Sequence, residues 1–286
     1  MMIRQPISTK WRFILGTLSI LLLILGYAYL SHRQHVKNPE DTTIPTFSQL
    51  KEGVVKILKP QERSGEVWLL EDAKATLGRL FLGLLCGVLA AIILGLLMGC
   101  FTPVEAFFVP PLSILAKLPP TAMLAVFFVM VGTDTEMYVL MIAFGVLPTL
   151  AQNIYLAAKD DVPTELIYKS YTLGASHFEV VWNVIYRHIM PKMIDSIRLQ
   201  IGPAMVFLIA AEMVVGAIGF GYRIRLQFRL TNMDVVYPYL AILAIFGYTM
   251  DYGLRLLLRK ICPWYTERLY TSWAIPWLGW WFRWWR

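Results

Sequence analysis

Apolar residues gather in six runs, at 13–30, 79–100, 107–131, 137–157, 199–218 and 236–257, with polar segments between them. A helix needs about 20 apolar residues to cross a bilayer. The pattern therefore predicts an all-α integral membrane protein with about six transmembrane helices. The first run, FILGTLSILLLILGYAYL, follows Arg4, Lys10 and Arg12. At 18 residues it is longer than the apolar region of a cleaved signal, and bulky Leu30 stands where a small residue is wanted. It reads as an uncleaved anchor whose N-terminus stays in the cytoplasm.

The interruptions carry as much information as the runs. Phe47, Leu50, Val54, Val55 and Leu58 have the spacing of a short amphipathic helix lying at the interface. The second run holds Gly83, Gly87 and Gly95, with Gly78 just before it, a spacing that lets helices approach closely in lipid. Pro110-Pro111 and Pro119-Pro120 break the third run. A polar insert at 158–197 reads as two short helices joined at Gly174, a left-handed C-cap. Asp160 or Asp161 caps the first, with Pro163 and Glu165 in its opening turn. The second carries Phe178, Val181, Trp182, Ile185 and Ile189 on one face, and Pro191 stops it. Such a knob suits a groove in a partner protein; an amphipathic pair resting on lipid or on its own bundle fits the pattern as well.

Composition agrees with a membrane protein: 57% of residues are hydrophobic and 16% charged, against roughly 25% charged in soluble domains. The net charge of +7 is read as basic residues meeting lipid headgroups, with no nucleic-acid partner. Cys86, Cys100 and Cys262 are isolated, so neither a disulfide nor a metal site is expected. The four histidines fall outside the apolar runs. Glu212, inside the fifth run, and Lys117, beside Pro119 and Pro120, either line a translocation path or serve as structural pairs and caps. Arg223, Arg225 and Arg229 lie in a segment placed outside, where they can gather an anion at an entrance or sit solvated at the interface. Asp251 and Arg255 are spaced for a local ion pair. No phosphate-binding G-x-x-x-x-G-K-[ST] motif occurs, and no cofactor or catalytic constellation is expected. A secondary transporter or channel remains the alternative function class.

The segment LIYKSYTLGASHFEVVWNVIYRHIMP resembles the cytoplasmic EAA loop of permease subunits of type I ABC importers, in particular the nitrate/sulfonate/taurine branch. Ile44-Pro45-Thr46-Phe47, Thr76-Leu77-Gly78-Arg79-Leu80 and Leu118-Pro119-Pro120-Thr121-Ala122 resemble further segments of that family in the same order. So do Ala211-Glu212-Met213 and Gly219-Phe220-Gly221-Tyr222, and the likeness covers roughly residues 44–265. The family's Glu-Ala-Ala falls here on Tyr168, Lys169 and Ser170, and its Leu-Pro on Tyr186 and Arg187, while Gly174-Ala175-Ser176 is kept.

The resemblance implies a loop, carrying Glu165, Tyr168, Lys169, Ser170, Gly174, Ala175, Ser176, Phe178 and Trp182, that docks with two copies of an ATPase subunit. It also implies an extracytoplasmic substrate-binding protein and a second permease, in a homodimer or a heterodimer, of which the homodimer is the reading taken. The expected organisation is an anchor (1–31), an extracytoplasmic segment (32–76), a permease core (77–262) with its coupling loop (158–197), and a Trp/Arg-rich interfacial tail (263–286).

Overall fold

A computed structural model of the chain describes residues 8–38, 41–60, 65 and 67–265. Among them the secondary structure is helical throughout: α1 (Thr9–Lys37), α2 (Phe47–Leu58), α3 (Trp68–Cys100), α4 (Thr102–Leu115), α5 (Leu124–Val131), α6 (Thr135–Asp160), α7 (Thr164–Thr172), α8 (His177–Glu179), a π-helical stretch (Val180–Tyr186), α9 (Arg187–Val215), α10 (Phe220–Arg229) and α11 (Met233–Ile261). The tail expected at the interface lies, from residue 266 on, outside the described residues.

Among the described residues, five helices are long and apolar enough to cross a membrane: Lys10–Lys37, Trp68–Cys100, Thr135–Asp160, His177–Val215 and Met233–Ile261. The expected third span is not one helix. It divides into α4, with 14 residues, and α5, with 8, around the Pro119-Pro120 link. Pro110 and Pro111 do not break anything; both sit inside α4. Pro191 likewise lies inside α9 instead of ending a helix. Internal prolines persist in membrane helices because neighbouring groups satisfy the carbonyls they free.

The core is built on α3 against α6. Leu80, Leu84, Ala91 and Met98 of α3 are buried together with Met141, Ile142, Val146, Leu150 and Ile154 of α6. Four glycines set the helix separation, among them Gly99, where a Cβ would stand 2.4 Å from the Ala158 Cβ. A Cβ on Gly83 would stand 2.7 Å from the Ile142 Cβ, one on Gly87 3.0 Å from the Ala143 Cα, and one on Gly95 2.8 Å from the Ala151 carbonyl. Gly78 has open space around it and plays no part in that contact.

Gly95→Leu should therefore cost about 1–3 kcal/mol by overpacking. Gly78→Ala should hold or slightly raise stability through helix propensity. Thermal unfolding of the detergent-solubilised variants checks the pair: a Tm drop confined to Gly95→Leu is expected.

α2 follows its amphipathic pattern and is fastened at one side. Thr46 and Gln49 form a reciprocal capping box at its start. Gly53 and Ile57 are buried, and a Cβ on Gly53 would stand 2.0 Å from the Asp234 carbonyl at the beginning of α11. Phe47, Val54, Val55 and Leu58 remain exposed.

Candidate functional site

The 158–197 insert keeps its hinge and changes its ends. α6 runs to Asp160 and Asp161 is its C-cap, so neither aspartate caps α7; Pro163 occupies that place, with Glu165 in the first turn. Asp161 pairs instead with Lys192 of α9. Gly174 has φ +86°, the left-handed geometry its position called for. The Gly174 N–H donates to the Tyr171 carbonyl and the Ala175 N–H to that of Ser170, closing the turn. Across it, the Tyr171 hydroxyl lies 2.8 Å from His177 Nδ1.

The helix after the turn starts with a capping box. The Ser176 Oγ accepts from the Glu179 N–H, while the Glu179 carboxylate accepts from the Ser176 N–H. Sequence reasoning passed over this S-x-x-E signature, although it was there to be read.

The expected single apolar face is divided. Ile185 and Ile189 are buried together with Val180, whereas Phe178 and Trp182 stay exposed. The cause is the π-helical stretch, whose i→i+5 bonds widen the turn and shift the angular phase of the residues after it. Trp182 stacks on Tyr186 there, with ring centroids 4.7 Å apart. Tyr168, Leu173, Phe178 and Trp182 are all exposed on the insert, Leu173 at 87% and Phe178 at 75%. Beside it is an open groove of about 350 Å³ lined by Ser170, Gly174, Ala175 and Asn183 among others. Glu165 and Lys169 are exposed on α7.

At the other end of α9 lies a buried polar junction. Asp72 and Glu212 are both fully buried. The Asp72 carboxylate accepts from Arg223 Nε (2.8 Å), the Tyr239 hydroxyl (2.8 Å) and the Gly219 N–H (3.0 Å). The Glu212 carboxylate accepts from Arg79 Nη1 (2.9 Å), the Thr76 hydroxyl (3.0 Å) and the Gly221 N–H (2.9 Å). Thr76 Oγ1 in turn accepts from the Phe220 N–H at 2.9 Å.

Three successive amides, those of Gly219, Phe220 and Gly221, thus end on side chains of α3 and α9. They are the orphan donors at the N-terminus of α10, where a negative charge is favoured. Gly219 has φ +126°, and a Cβ there would stand 2.5 Å from Glu212 Oε1. Only glycine satisfies both demands. Two carboxylates against two guanidinium groups leave the junction electrically balanced, as buried charges require.

The structure thereby joins Glu212 and Arg223 through α3 and α10. Lys117 is exposed in the link after α4, next to exposed Pro119 and half-buried Pro120, and is not among the partners of Glu212. The segment expected as an external loop contains α10, and its three arginines differ in role. Arg223 is buried over the Trp68 ring, and Arg225 donates to the Val214 and Gly216 carbonyls at the end of α9. Arg229 is exposed.

Asp72, Thr76 and Arg79 had gone unremarked as site residues. They lie at i, i+4 and i+7 on one face of α3, the first two upstream of where hydropathy starts the span and Arg79 at its start. Nearer the other end of α9, the expected Asp251–Arg255 pair (2.7 Å) belongs to a larger network with Arg198 (2.7 Å from Asp251) and Asp195.

Five membrane-length helices, a proline-divided helical pair and a charge-balanced buried junction define a multi-pass helical membrane protein. The chain belongs to the family described as the binding-protein-dependent transport system inner membrane component, whose profile matches residues 83–261. It is thus an ABC importer permease of the type I kind. It is 27% identical over 264 residues to the taurine transport system permease protein TauC of Escherichia coli K12, covering 92% of this chain and 94% of that protein. It is 27% identical to the putative aliphatic sulfonates transport permease protein SsuC of Bacillus subtilis 168, over 74% of this chain and 75% of that one. The nitrate import permease protein NrtB of Synechocystis is 22% identical, over 66% and 68%. In fold, the chain is similar to the inward-facing MetNI methionine ABC transporter, with a TM-score of 0.59, 19% identity, and coverage of 68% of this chain and 96% of that one.

Proposed function

We propose that the chain forms the translocation pathway of an ATP-driven importer together with a second permease, and that its substrate is a small oxyanion such as a sulfonate, taurine or nitrate. The substrate class follows from the named relatives. An extracytoplasmic binding protein delivers the solute. A separate ATPase subunit grips residues 165–190 from the cytoplasm; with α4 and α5 together making a sixth crossing beside the five long helices, both chain ends lie on that side. Hydrolysis moves the loop, and the spans rock to expose the pathway alternately to each face.

The observation that carries this reading is the exposure of Tyr168, Leu173, Phe178 and Trp182 on an insert hinged at Gly174, with no described residue of this chain burying them. Exposed patches of that kind mark docking sites. The test is co-purification of the full-length protein with its ATPase, identified by mass spectrometry, alongside ATP hydrolysis by the complex. Wild type should recover a P-loop ATPase. Phe178→Asp, which touches no core contact, should lower recovery about tenfold or more, as loss of a buried interface aromatic does. Gly174→Pro should act in the same direction by abolishing the left-handed turn. Recovery unchanged by Phe178→Asp, or no ATPase with well-folded wild type, overturns the proposal and favours a transporter working without a motor.

A further inference from the structure

An open, carbon-lined groove of about 470 Å³ separates α1 from α2 and the start of α11. Leu23 and Ile24 line it from α1, Leu50 and Val54 from α2, and Pro238 and Ala241 from α11. Its size falls within the roughly 300–1,000 Å³ typical of ligand sites. We propose that this groove is a phospholipid site: one acyl chain lies in it, and the headgroup phosphate meets Lys51.

Two observations identify an acyl chain as the occupant. First, α1 stands away from the bundle. Its most apolar window has no buried residue, and Ile20, Leu21, Leu22 and Leu25 are all exposed. Tyr27, Ser31 and Gln34 fasten the C-terminal part of α1 to the segment that follows it. The Tyr27 hydroxyl donates to the Pro45 carbonyl (2.7 Å), Ser31 donates to those of Ile44 and Pro45, and Gln34 donates to Asp41. The Thr42 hydroxyl fastens the same segment to the Thr231 carbonyl of the α10–α11 turn. Second, both long walls are membrane-length helices, so the groove opens into hydrocarbon. A cleft between them with carbon walls offers water no hydrogen-bond partners, and an acyl chain fills it at no polar cost.

The polar end is marked separately. Tyr27 packs edge-on against Phe47 (5.8 Å between ring centroids) and Tyr237 (6.0 Å), an aromatic cluster of the kind found at headgroup depth. Lys51 follows Phe47 by four residues and Leu50 by one, so it borders the groove-lining stripe of α2 and is exposed. With Lys56 and Lys59 against Glu52, the helix and its C-cap are net basic. That charge complements an anionic headgroup. The inference uses only the membrane embedding and does not depend on the docking of an ATPase.

The test reconstitutes the full chain in vesicles of phosphatidylglycerol and phosphatidylethanolamine, extracts it in mild detergent, and counts bound lipid by native mass spectrometry. Wild type should retain one phosphatidylglycerol under conditions that strip all other lipid. Ala241→Trp, which fills the groove from an exposed position, should abolish that adduct. Lys51→Ala should lower its retention about fivefold, the equivalent of ~1 kcal/mol per basic residue at an anionic surface. Elution volume on gel filtration verifies folding of each variant, and should Ala241→Trp fail to fold, Lys51→Ala decides. No retained lipid in wild type, or retention unchanged in a folded variant, overturns the proposal. A lipid-free dimer crosslinked through residue 241, or a crosslink from residue 241 to the chain's own tail, does so as well by naming a different occupant.

Discussion

Glu212→Ala is expected to destabilise the protein by about 3–5 kcal/mol, the cost of removing one partner from a buried ion pair. The carboxylate is fully buried and ends three hydrogen bonds. Its removal strands the Gly221 N–H and leaves the Arg79 charge facing only the Ile218 carbonyl (2.9 Å) and the Tyr138 ring (4.2 Å to the centroid). Glu212→Gln keeps the shape and acceptor capacity on one side, so it should fall between wild type and alanine. Reversible unfolding in mixed detergent micelles reads the series. In a double-mutant cycle with Arg79→Met, the two losses should be less than additive by about 0.5–3 kcal/mol. Full additivity would show that the two groups do not stabilise each other.

Asp72→Asn should cost a similar amount, about 3–5 kcal/mol, because Arg223 is then buried without its counter-charge. The nearest other carboxylate to Arg223, that of Glu71, is 4.0 Å away and partly solvated. Tyr239→Phe removes only one of the four hydrogen bonds to Asp72 and should cost about 1.5–3 kcal/mol, the range for a hydrogen bond to a charged group. The ordering Asp72→Asn above Tyr239→Phe, measured by the same unfolding assay, separates loss of charge from loss of a hydrogen bond. Equal losses would mean that the charge of Asp72 contributes nothing beyond its acceptors.

Much of the fold was legible wherever the signal is local. Gly174 needed a left-handed backbone, the α2 residues repeated at helical spacing, and every apolar run but the third found a single helix. What escaped depends on distant partners. Hydropathy begins the second span near residue 79, because Glu71, Asp72 and Lys74 lower the local average. The helix starts at Trp68, since Asp72 and Thr76 are satisfied by residues 144–167 positions away. Pro191 was read as a stop signal because its freed carbonyl finds relief only in the packed bundle. The exposed and buried sides of the 177–189 segment were merged into one face because 3.6-residue periodicity does not foresee a π-helical turn. Glu212 was singled out for its burial cost, yet the partners that offset that cost lie on two other elements, α3 and α10.

The helical rod from His177 to Val215 gives the molecule a transmission shaft. Phe178, at one end, and Glu212, at the other, are joined by continuous helix; at 1.5 Å per residue they stand about 50 Å apart. The shaft also fixes phase. One residue inserted between them would turn the exposed aromatic knob by about 100° relative to the carboxylate that seats the rod on α3 and α10. The π-helical stretch takes one extra residue per turn, so it is the place along the shaft where such a phase error can be absorbed. At the native spacing the seating of Glu212 thus sets the angle of the knob, and the π-helical stretch is where the two can be retuned.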